Sequence, residues 1–326
     1  MNPTTELLKW YRRYGRDFPW RVKGGAHENA YAVWISEIML QQTTTQTVMS
    51  YFTRWMERFP TIESVAAADL QDVLLMWQGL GYYTRAKKIH ECARVLVRDF
   101  NGHIPNKRDV LLKLPGIGPY TASSICCFAF NQPETVVDGN VIRVIARFYG
   151  LTHAVGKDEI YALAEKLTDP KHGADYASAI MDLGATVCTP TNATCGLCPW
   201  QGACVAFHKG LVDQIPVIQK PAKKERTGTV YLIRDDQGRY LIRRRSGRGL
   251  LSGLYEFPWY YSDEAQPAGT WESMPGTVTH TFTHFRLTLV LKRGVPASPE
   301  EGFFCAPADF EKYPFSTLMS KVIKKL

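Results

Sequence analysis

The sequence predicts an all-α first domain followed by a smaller domain of mixed α and β structure. Segments with helical periodicity of apolar residues lie over residues 5–14, 29–41, 86–99 and 107–114. Apolar residues alternate in steps of two along residues 285–291, as in a half-buried strand. Between these regions, residues 205–227 are basic and proline-bearing and follow neither period, as linkers do. The predicted domains are therefore residues 1–204 and residues 228–326.

The composition favours a polyanionic partner. The 326 residues are 45% hydrophobic and 21% charged, with a net charge of +8. Nucleic acid is the leading partner for such a charge, although solubility alone also explains it. No apolar run approaches membrane length, and Leu7-Leu8 is followed at once by basic residues instead of a signal-peptide core. A cytoplasmic protein without a membrane partner is expected.

The helical segment over residues 29–41 places a carboxyl group, Glu37, on an apolar face. Its neighbours three and four positions away are Val33, Trp34, Leu40 and Gln41. Burial there would disfavour the ionised form and raise the pKa of Glu37, as a general acid near neutral pH requires. A glutamate that reaches solvent or pairs with an arginine is an equally good interpretation of this helix alone.

Two short loops follow, over residues 41–43 and 79–86. Side chains at loop tips, here Gln42 and Tyr82, can be inserted between bases to hold a kinked duplex open. A buried tyrosine that closes a helix corner is the commoner role of such a residue. The loops alone therefore indicate a DNA contact only weakly.

A glycine hairpin joins two predicted helices at Leu114-Pro115-Gly116-Ile117-Gly118. The second helix begins at Pro119, because proline suits the first helical turn. Glycine at positions 116 and 118 permits positive φ and leaves the backbone N–H groups open to an anion such as a DNA phosphate. An ordinary turn between helices has the same pattern.

A lone carboxylate, Asp138, precedes the next helix, predicted over residues 139–150. Aspartate is among the preferred N-cap residues, and the helix N-terminus favours its anionic form. A carboxyl group kept protonated and a second one kept anionic are the pair that glycosidic cleavage uses. The sequence offers Glu37 and Asp138 for these two roles.

Four of the eight cysteines lie in one short segment: Cys188, Cys195, Cys198 and Cys204. In a reducing compartment this grouping indicates metal ligation. Four thiolates suit either a tetrahedral zinc ion or an iron–sulfur cube, and their spacing alone leaves both open.

Taken together, these segments resemble the MutY family of adenine DNA glycosylases, within the helix-hairpin-helix, endonuclease III-like superfamily. The resemblance covers nearly all of the first 205 residues and includes the cysteine spacing, which implies a 4Fe–4S cluster. It implies that Glu37 protonates the adenine, that Asp138 stabilises or captures the oxocarbenium sugar, and that Tyr120 and Asn140 position that charge. Relatives with lyase activity carry a lysine where this chain has Tyr120, which implies a monofunctional enzyme.

The resemblance also implies the partner, double-stranded DNA in which adenine is mispaired with 8-oxoguanine or guanine, and a monomeric protein. The implied DNA contacts of the first 204 residues are Leu40, Gln42, Thr43, Tyr82, Gly116 and Gly118. Two alternatives are an endonuclease III-like pyrimidine or mismatch glycosylase and a non-catalytic DNA-binding protein. The first alternative would leave Glu37 without a purine to protonate and the second domain unexplained. The second alternative is disfavoured because Glu37 and Asp138 are both present.

Residues 245–258 resemble a segment of Nudix-like domains, which implies an α+β fold for residues 228–326. The acidic helix that holds the metal of Nudix hydrolases does not follow, so binding is expected instead of pyrophosphate hydrolysis. Phe282-Thr283-His284 resembles the family's Phe-Ser-His loop that recognises 8-oxoguanine, with threonine in place of serine. Seen alone, His284 would be a surface or strand histidine.

Overall fold

The computed structural model describes residues 2–217, 223–247 and 249–326. Residues 218–222, inside the predicted linker, and Arg248, inside the Nudix-like segment, lie outside the described residues. The chain forms two compact units, one of Met1–Ala67 with Lys88–Lys220 and one of Ala68–Lys87 with Pro221–Leu326. None of the helices within the described ranges combines the length and the apolar character that crossing a bilayer requires.

Helices make up the first unit and the segment inserted into its sequence. In chain order they are α1 (Pro3–Tyr14), α2 (Ala30–Leu40), α3 (Thr45–Arg58), α4 (Ile62–Ala67), α5 (Leu70–Met76), α6 (Thr84–Phe100), α7 (Arg108–Leu111), α8 (Pro119–Phe130), α9 (Gly139–Tyr149), α10 (Lys157–Glu165), α11 (Gly173–Thr186) and α12 (Val205–His208). The predicted all-α first domain is confirmed.

Helix α2 is the central helix of the first unit. Every residue from Tyr31 to Met39 is buried, as expected for a helix that is apolar on all sides. It packs against α8, and α11 packs against both α1 and α9. Asn29 caps α2, because its side-chain oxygen accepts a hydrogen bond from the Ala32 N–H at 3.1 Å.

The second unit contains two sheets and a closing helix, α13 (Thr317–Ile323). The strands are β1 (Lys224–Ile233), β2 (Tyr240–Arg244), β3 (Tyr255–Glu256), β4 (Trp259–Tyr261), β5 (Gly269–Thr281), β6 (Phe285–Pro296) and β7 (Phe303–Cys305). One sheet has the order β4-β1-β6-β5 and the other β3-β2-β7. Strand β6 buries Leu287, Leu289 and Leu291, which confirms the alternation predicted for a half-buried strand.

The inserted segment Ala68–Lys87 belongs to the second unit although helices surround it in the sequence. The Tyr83 hydroxyl donates to the Phe315 carbonyl oxygen at 3.1 Å. The Lys87 ammonium donates to the Ser252 carbonyl oxygen. Tyr82, at the tip of the predicted loop, is therefore carried by the same compact unit as the Nudix-like strands.

Candidate active site

Glu37 lies on the buried helix α2, with only 7% of its surface exposed. Burial raises the pKa of its carboxyl group to about 7, whereas the hydroxyls of Ser124 and Tyr120 and the positive charge of Arg21 act to lower it. The negative charge of Asp138 acts in the raising direction. A carboxyl group with this pKa is protonated in an appreciable fraction of molecules near neutral pH.

Tyr120 stands beside Glu37 near the start of α8. Burial raises the pKa of its phenol well above the ordinary value, and the nearby charges of Glu37 and Asp138 raise it further. The phenol therefore stays protonated and acts as a hydrogen-bond donor to Glu37. It also interacts electrostatically with both carboxyl groups, so Tyr120 lies near the two residues predicted to do the chemistry.

Asp138 is the N-cap of α9, as the sequence predicts. Its Oδ1 accepts a hydrogen bond from the Val141 N–H at 2.8 Å, and its Oδ2 accepts one from the Asn140 side-chain amide at 2.8 Å. Each oxygen thus has one donor and retains a free lone pair. This arrangement holds an anionic carboxylate in one orientation at the helix N-terminus.

Arg143 connects Asn140 to the cysteine segment. Its Nη2 donates to Asn140 Oδ1 at 2.9 Å and to the Gly184 carbonyl oxygen at 2.7 Å, and its Nε donates to the Cys188 carbonyl oxygen at 2.8 Å. The Asn140 amide is therefore fixed at both ends, by Arg143 and by Asp138. The position of the carboxylate depends on the loop that begins at Cys188.

A cavity of about 880 Å³ opens beside these groups. Its lining includes all four residues predicted to be catalytic, which are Glu37, Tyr120, Asp138 and Asn140. Five of the predicted DNA contacts line it as well: Leu40, Gln42, Thr43, Gly116 and Gly118. The structure thus brings together predicted residues from three separate stretches of the first unit.

The glycine hairpin forms between α7 and α8, but its two glycines differ. Gly116 has φ 77°, and a Cβ there would lie 2.5 Å from Lys88 Cβ, so this position requires glycine. Gly118 has φ −92° and open space where a Cβ would be. In the part of the chain that the structure describes, no hydrogen bond uses the backbone N–H of either glycine. Both N–H groups are therefore available to donate to an anion.

Gln42 and Tyr82 share an uncommon backbone conformation. Gln42 has φ 57° and Tyr82 has φ 48°, although neither is glycine. Holding a non-glycine residue in this left-handed conformation raises the free energy of the folded state by of order 1–3 kcal/mol. Such residues cluster at functional sites. Tyr82 is also 47% exposed, so it does not have the buried role that is common for a tyrosine in a helix corner.

Residues 282–284 form a tight turn between β5 and β6. The Phe282 N–H donates to the Phe285 carbonyl oxygen at 2.8 Å, and the Phe282 ring packs against the rings of Phe285 and His280. The side chains of Thr283 and His284 are exposed. Within this unit the hydroxyl oxygens of Thr283 and Tyr82 lie 2.9 Å apart and share a hydrogen bond.

The four clustered cysteines line one small cavity together with Arg147. Arg147 is 2% exposed and donates to the carbonyl oxygens of Ile215, Thr189 and Pro190. Its Nη1 also lies 3.4 Å from Cys188 Sγ. Among residues 2–217, 223–247 and 249–326, no three His, Cys, Asp or Glu side chains are arranged around a single metal ion.

Comparison with known proteins places this geometry in a family. A model of the HhH-GPD superfamily of base excision DNA repair proteins matches residues 35–170, and a NUDIX domain model matches residues 229–325. An adenine DNA glycosylase of Homo sapiens is 32% identical over 98% of this chain and 72% of the relative. One of Rattus norvegicus is 34% identical over 98% of this chain and 76% of the relative. The chain belongs to the adenine DNA glycosylase family.

Solved structures agree with this fold for the helical part. A structure described as a thermostable thymine-DNA glycosylase has a TM-score of 0.58 at 28% identity and covers 63% of this chain and 95% of the other. An endonuclease III–DNA complex has a TM-score of 0.55 at 24% identity, covering 64% and 94%. The predicted helix-hairpin-helix glycosylase with a Nudix-like second domain is confirmed, as is DNA as its class of partner.

Three members of the adenine DNA glycosylase site were missed from the sequence. Ser124 hydrogen-bonds to Glu37, and Arg21 faces it electrostatically. Arg21 also pairs with the fully buried Asp182, with Nη1 2.9 Å from Oδ1. Arg143 is the one that helical spacing could have found, because it lies three residues after Asn140 on the same helix. The other contacts join segments that are far apart in the sequence.

Proposed function

We propose that this chain hydrolyses the N-glycosidic bond of adenine mispaired with 8-oxoguanine, or with guanine, and leaves an abasic site. The observation that carries the proposal is the carboxyl pair in one cavity, with Glu37 buried and Asp138 held by two donors. The relatives named as adenine DNA glycosylases support adenine as the excised base. The duplex would deliver the base by extrusion into the cavity.

Protonation of the leaving group is the role we assign to Glu37. Its proton moves to a ring nitrogen of adenine, and the electron pair of the C1′–N9 bond leaves with the base. The sugar then carries the positive charge of an oxocarbenium ion, which Asp138 stabilises electrostatically or captures through oxygen. Water adds to C1′ and gives up a proton, which restores one protonated carboxyl group in the site.

Tyr120 and Asn140 are assigned positioning roles. The protonated Tyr120 phenol donates to Glu37, and the Asn140 amide donates to Asp138, so each orients one carboxyl group. No lysine occupies position 120, and the absence of that amine from the sequence supports hydrolysis without strand cleavage.

The second unit is assigned the recognition of the opposite base. Thr283 and His284 are exposed at the turn between β5 and β6, and Tyr82 reaches the same turn through its hydroxyl. The tyrosine expected to insert between bases and the turn expected to contact 8-oxoguanine therefore meet within one unit. We assign residues 228–326 to this role and residues 1–204 to the chemistry, with residues 205–227 as the linker.

The positive charge of Arg147, which lines the cysteine cavity, favours an anionic iron–sulfur cluster there. Arg147 is a buried cation, and no Asp or Glu pairs with it among the described residues. A buried guanidinium needs an anionic partner, which a thiolate-ligated 4Fe–4S cluster would provide. The cluster would be held by Cys188, Cys195, Cys198 and Cys204, and when bound it would fix the loop to which Arg143 is bonded.

Purified protein should be brown with about four iron and four sulfide per chain, whereas stoichiometric zinc would refute this assignment.

A glycosylase assay tests the function. Duplexes carrying adenine opposite 8-oxoguanine, guanine or thymine should release adenine in that order of rate, without strand cleavage before alkali. The matched variant is His284→Ala, which should bring the 8-oxoguanine and guanine rates closer together by roughly tenfold or more. Release of thymine or another pyrimidine in preference to adenine would refute the proposal. A cytoplasmic monomer is the state we expect for this enzyme.

A further inference from the structure

His27 lines the cavity from a loop that the catalytic assignment does not use. The loop is fixed at two points besides the ring itself. The Gly24 N–H donates to the buried carboxylate of Asp175 at 3.0 Å, and the His27 N–H donates to the Phe128 carbonyl oxygen at 2.8 Å. His27 is therefore held against the end of α8.

The imidazole of His27 has a defined tautomer in this arrangement. The Asn29 N–H donates to its Nδ1 at 3.0 Å, so Nδ1 carries a lone pair and no proton. The proton of the neutral ring is then on Nε2, which makes Nε2–H the donor of this side chain. Among the described residues, the only side-chain hydrogen bond of His27 is this one at Nδ1.

Two hydrogen bonds define where His27 lies relative to helices α2 and α8. At one end of the helix pair, the Gln41 amide donates to Thr121 Oγ1 at 3.2 Å. At the other end, the His27 N–H meets the Phe128 carbonyl oxygen. Helices α2 and α8 are therefore antiparallel, and the seven helical steps from Thr121 to Phe128 span about 10 Å. His27 therefore lies at the opposite end of α8 from Tyr120, whose phenol interacts electrostatically with Asp138.

This position corresponds to the far edge of an extruded base. The sugar must lie beside Asp138, and the Watson–Crick edge is the part of a purine farthest from its sugar. In adenine that edge presents N1 as an acceptor, whereas in guanine N1 bears a hydrogen. A fixed Nε2–H group could donate a hydrogen bond to N1 of adenine. With guanine it would face the N1–H group, which is a second donor, and no hydrogen bond could form.

We propose that His27 is a specificity-determining residue, whose Nε2–H donates to N1 of the extruded adenine. The inference rests on the proposed function, because it requires adenine in the cavity. It adds a direct contact to the base at a residue outside the carboxyl pair. A site that hydrogen-bonds one atom of its substrate discriminates against the analogue that lacks it.

Base analogues test this contact on the full-length protein. Single-turnover excision is measured opposite 8-oxoguanine for adenine and for 1-deazaadenine, which has a C–H in place of N1. His27→Asn is the first variant, because its side-chain oxygen can still accept the Asn29 N–H while the donor is lost. His27→Gln is the second, because its longer amide can place an N–H near the position of Nε2.

We expect His27→Asn to excise adenine about tenfold more slowly than the wild type, with little change on 1-deazaadenine. The adenine to 1-deazaadenine ratio should therefore shrink about tenfold in His27→Asn and less in His27→Gln. An unchanged ratio in His27→Asn, with normal adenine excision by the wild type, would overturn this inference alone. Failure of the wild type to release adenine would overturn the proposed function and this inference with it.

Discussion

The side-chain amide of Asn140 donates to Asp138 Oδ2 across 2.8 Å, two residues along the same helix start. The other carboxylate oxygen is bonded to the Val141 N–H, so the two donors fix both oxygens of Asp138. Arg143 in turn holds Asn140 Oδ1 at 2.9 Å. The orientation of the Asp138 carboxylate is thus fixed by an uncharged side chain together with a backbone N–H.

Asn140→Ala removes this donor and leaves the Asp138 carboxylate bonded at one oxygen only. A hydrogen bond to a charged group contributes about 1.5–3 kcal/mol, so single-turnover adenine excision should fall roughly tenfold to a hundredfold. Lesion-duplex affinity, measured by fluorescence anisotropy, should change much less. A rate within twofold of the wild type would show that Asn140 does not position Asp138.

Gly184→Ala tests the same contact from the neighbouring helix. A Cβ at position 184 would lie 2.6 Å from Asn140 Cβ, closer than real Cβ contacts, so α11 or Asn140 must move. We expect a loss of excision that exceeds the loss of thermal stability. Gly156→Ala is the control, because nothing lies within 4 Å of a Cβ there and the position is outside both the cavity and the cysteine segment. If both variants excise adenine at near-normal rates, the close approach of Gly184 to Asn140 is not required for activity.

The pH dependence of excision should report Glu37. Burial raises the pKa of this carboxyl group to about 7, and the acid must be protonated to act. The single-turnover rate of the wild type should therefore fall as pH rises through about 7, approaching tenfold per unit above it. The residual rate of Glu37→Gln should lack this decline. A wild-type rate that rises between pH 7 and 9 would exclude Glu37 as the general acid.

Tyr120→Lys places an amine where the phenol interacts with both carboxyl groups. An amine at this position can attack the sugar carbon and form a Schiff base, which borohydride reduces to a stable adduct. We expect a trapped protein–DNA adduct and strand cleavage that the wild type lacks. Tyr120→Phe is the matched control and should give none. Without an adduct, position 120 does not face the sugar.

Much of the site could be predicted because its chemistry is local in the sequence. The neighbours of Glu37 on one helix predict its burial, and the residues after Asp138 predict its N-cap geometry. Leucines in steps of two predict the buried face of β6. In each case the periodicity or spacing of a few residues determines the environment of the side chain.

The rest depends on contacts between distant segments. Residues 229–233 and 239–242 flank Asp235-Asp236-Gln237-Gly238, a pattern that predicts a hairpin. The chain does turn back there, because the Asp235 N–H donates to the Arg239 carbonyl oxygen at 3.0 Å and Arg234 forms an antiparallel bridge with Tyr240. Strands β1 and β2 nevertheless belong to different sheets. The sequence of Ala68–Lys87 predicts a segment of the helical domain, but in the structure this segment belongs to the second unit. Removing residues 228–326 would therefore also remove the residues that Tyr82 contacts. His284→Ala is for this reason a sharper test of 8-oxoguanine recognition than truncation.

The central claim is that Glu37 supplies a proton and Asp138 supplies a negative charge to one glycosidic bond. Single-turnover adenine excision by Glu37→Gln and Asp138→Asn, with lesion-duplex binding measured in parallel, tests it most directly. Both amides keep the size of the side chain, and the amide oxygen that Asp138→Asn introduces could still accept the Val141 N–H. We predict binding within a fewfold of the wild type and excision reduced by a hundredfold or more in each variant. Near-normal excision by either variant would contradict the account.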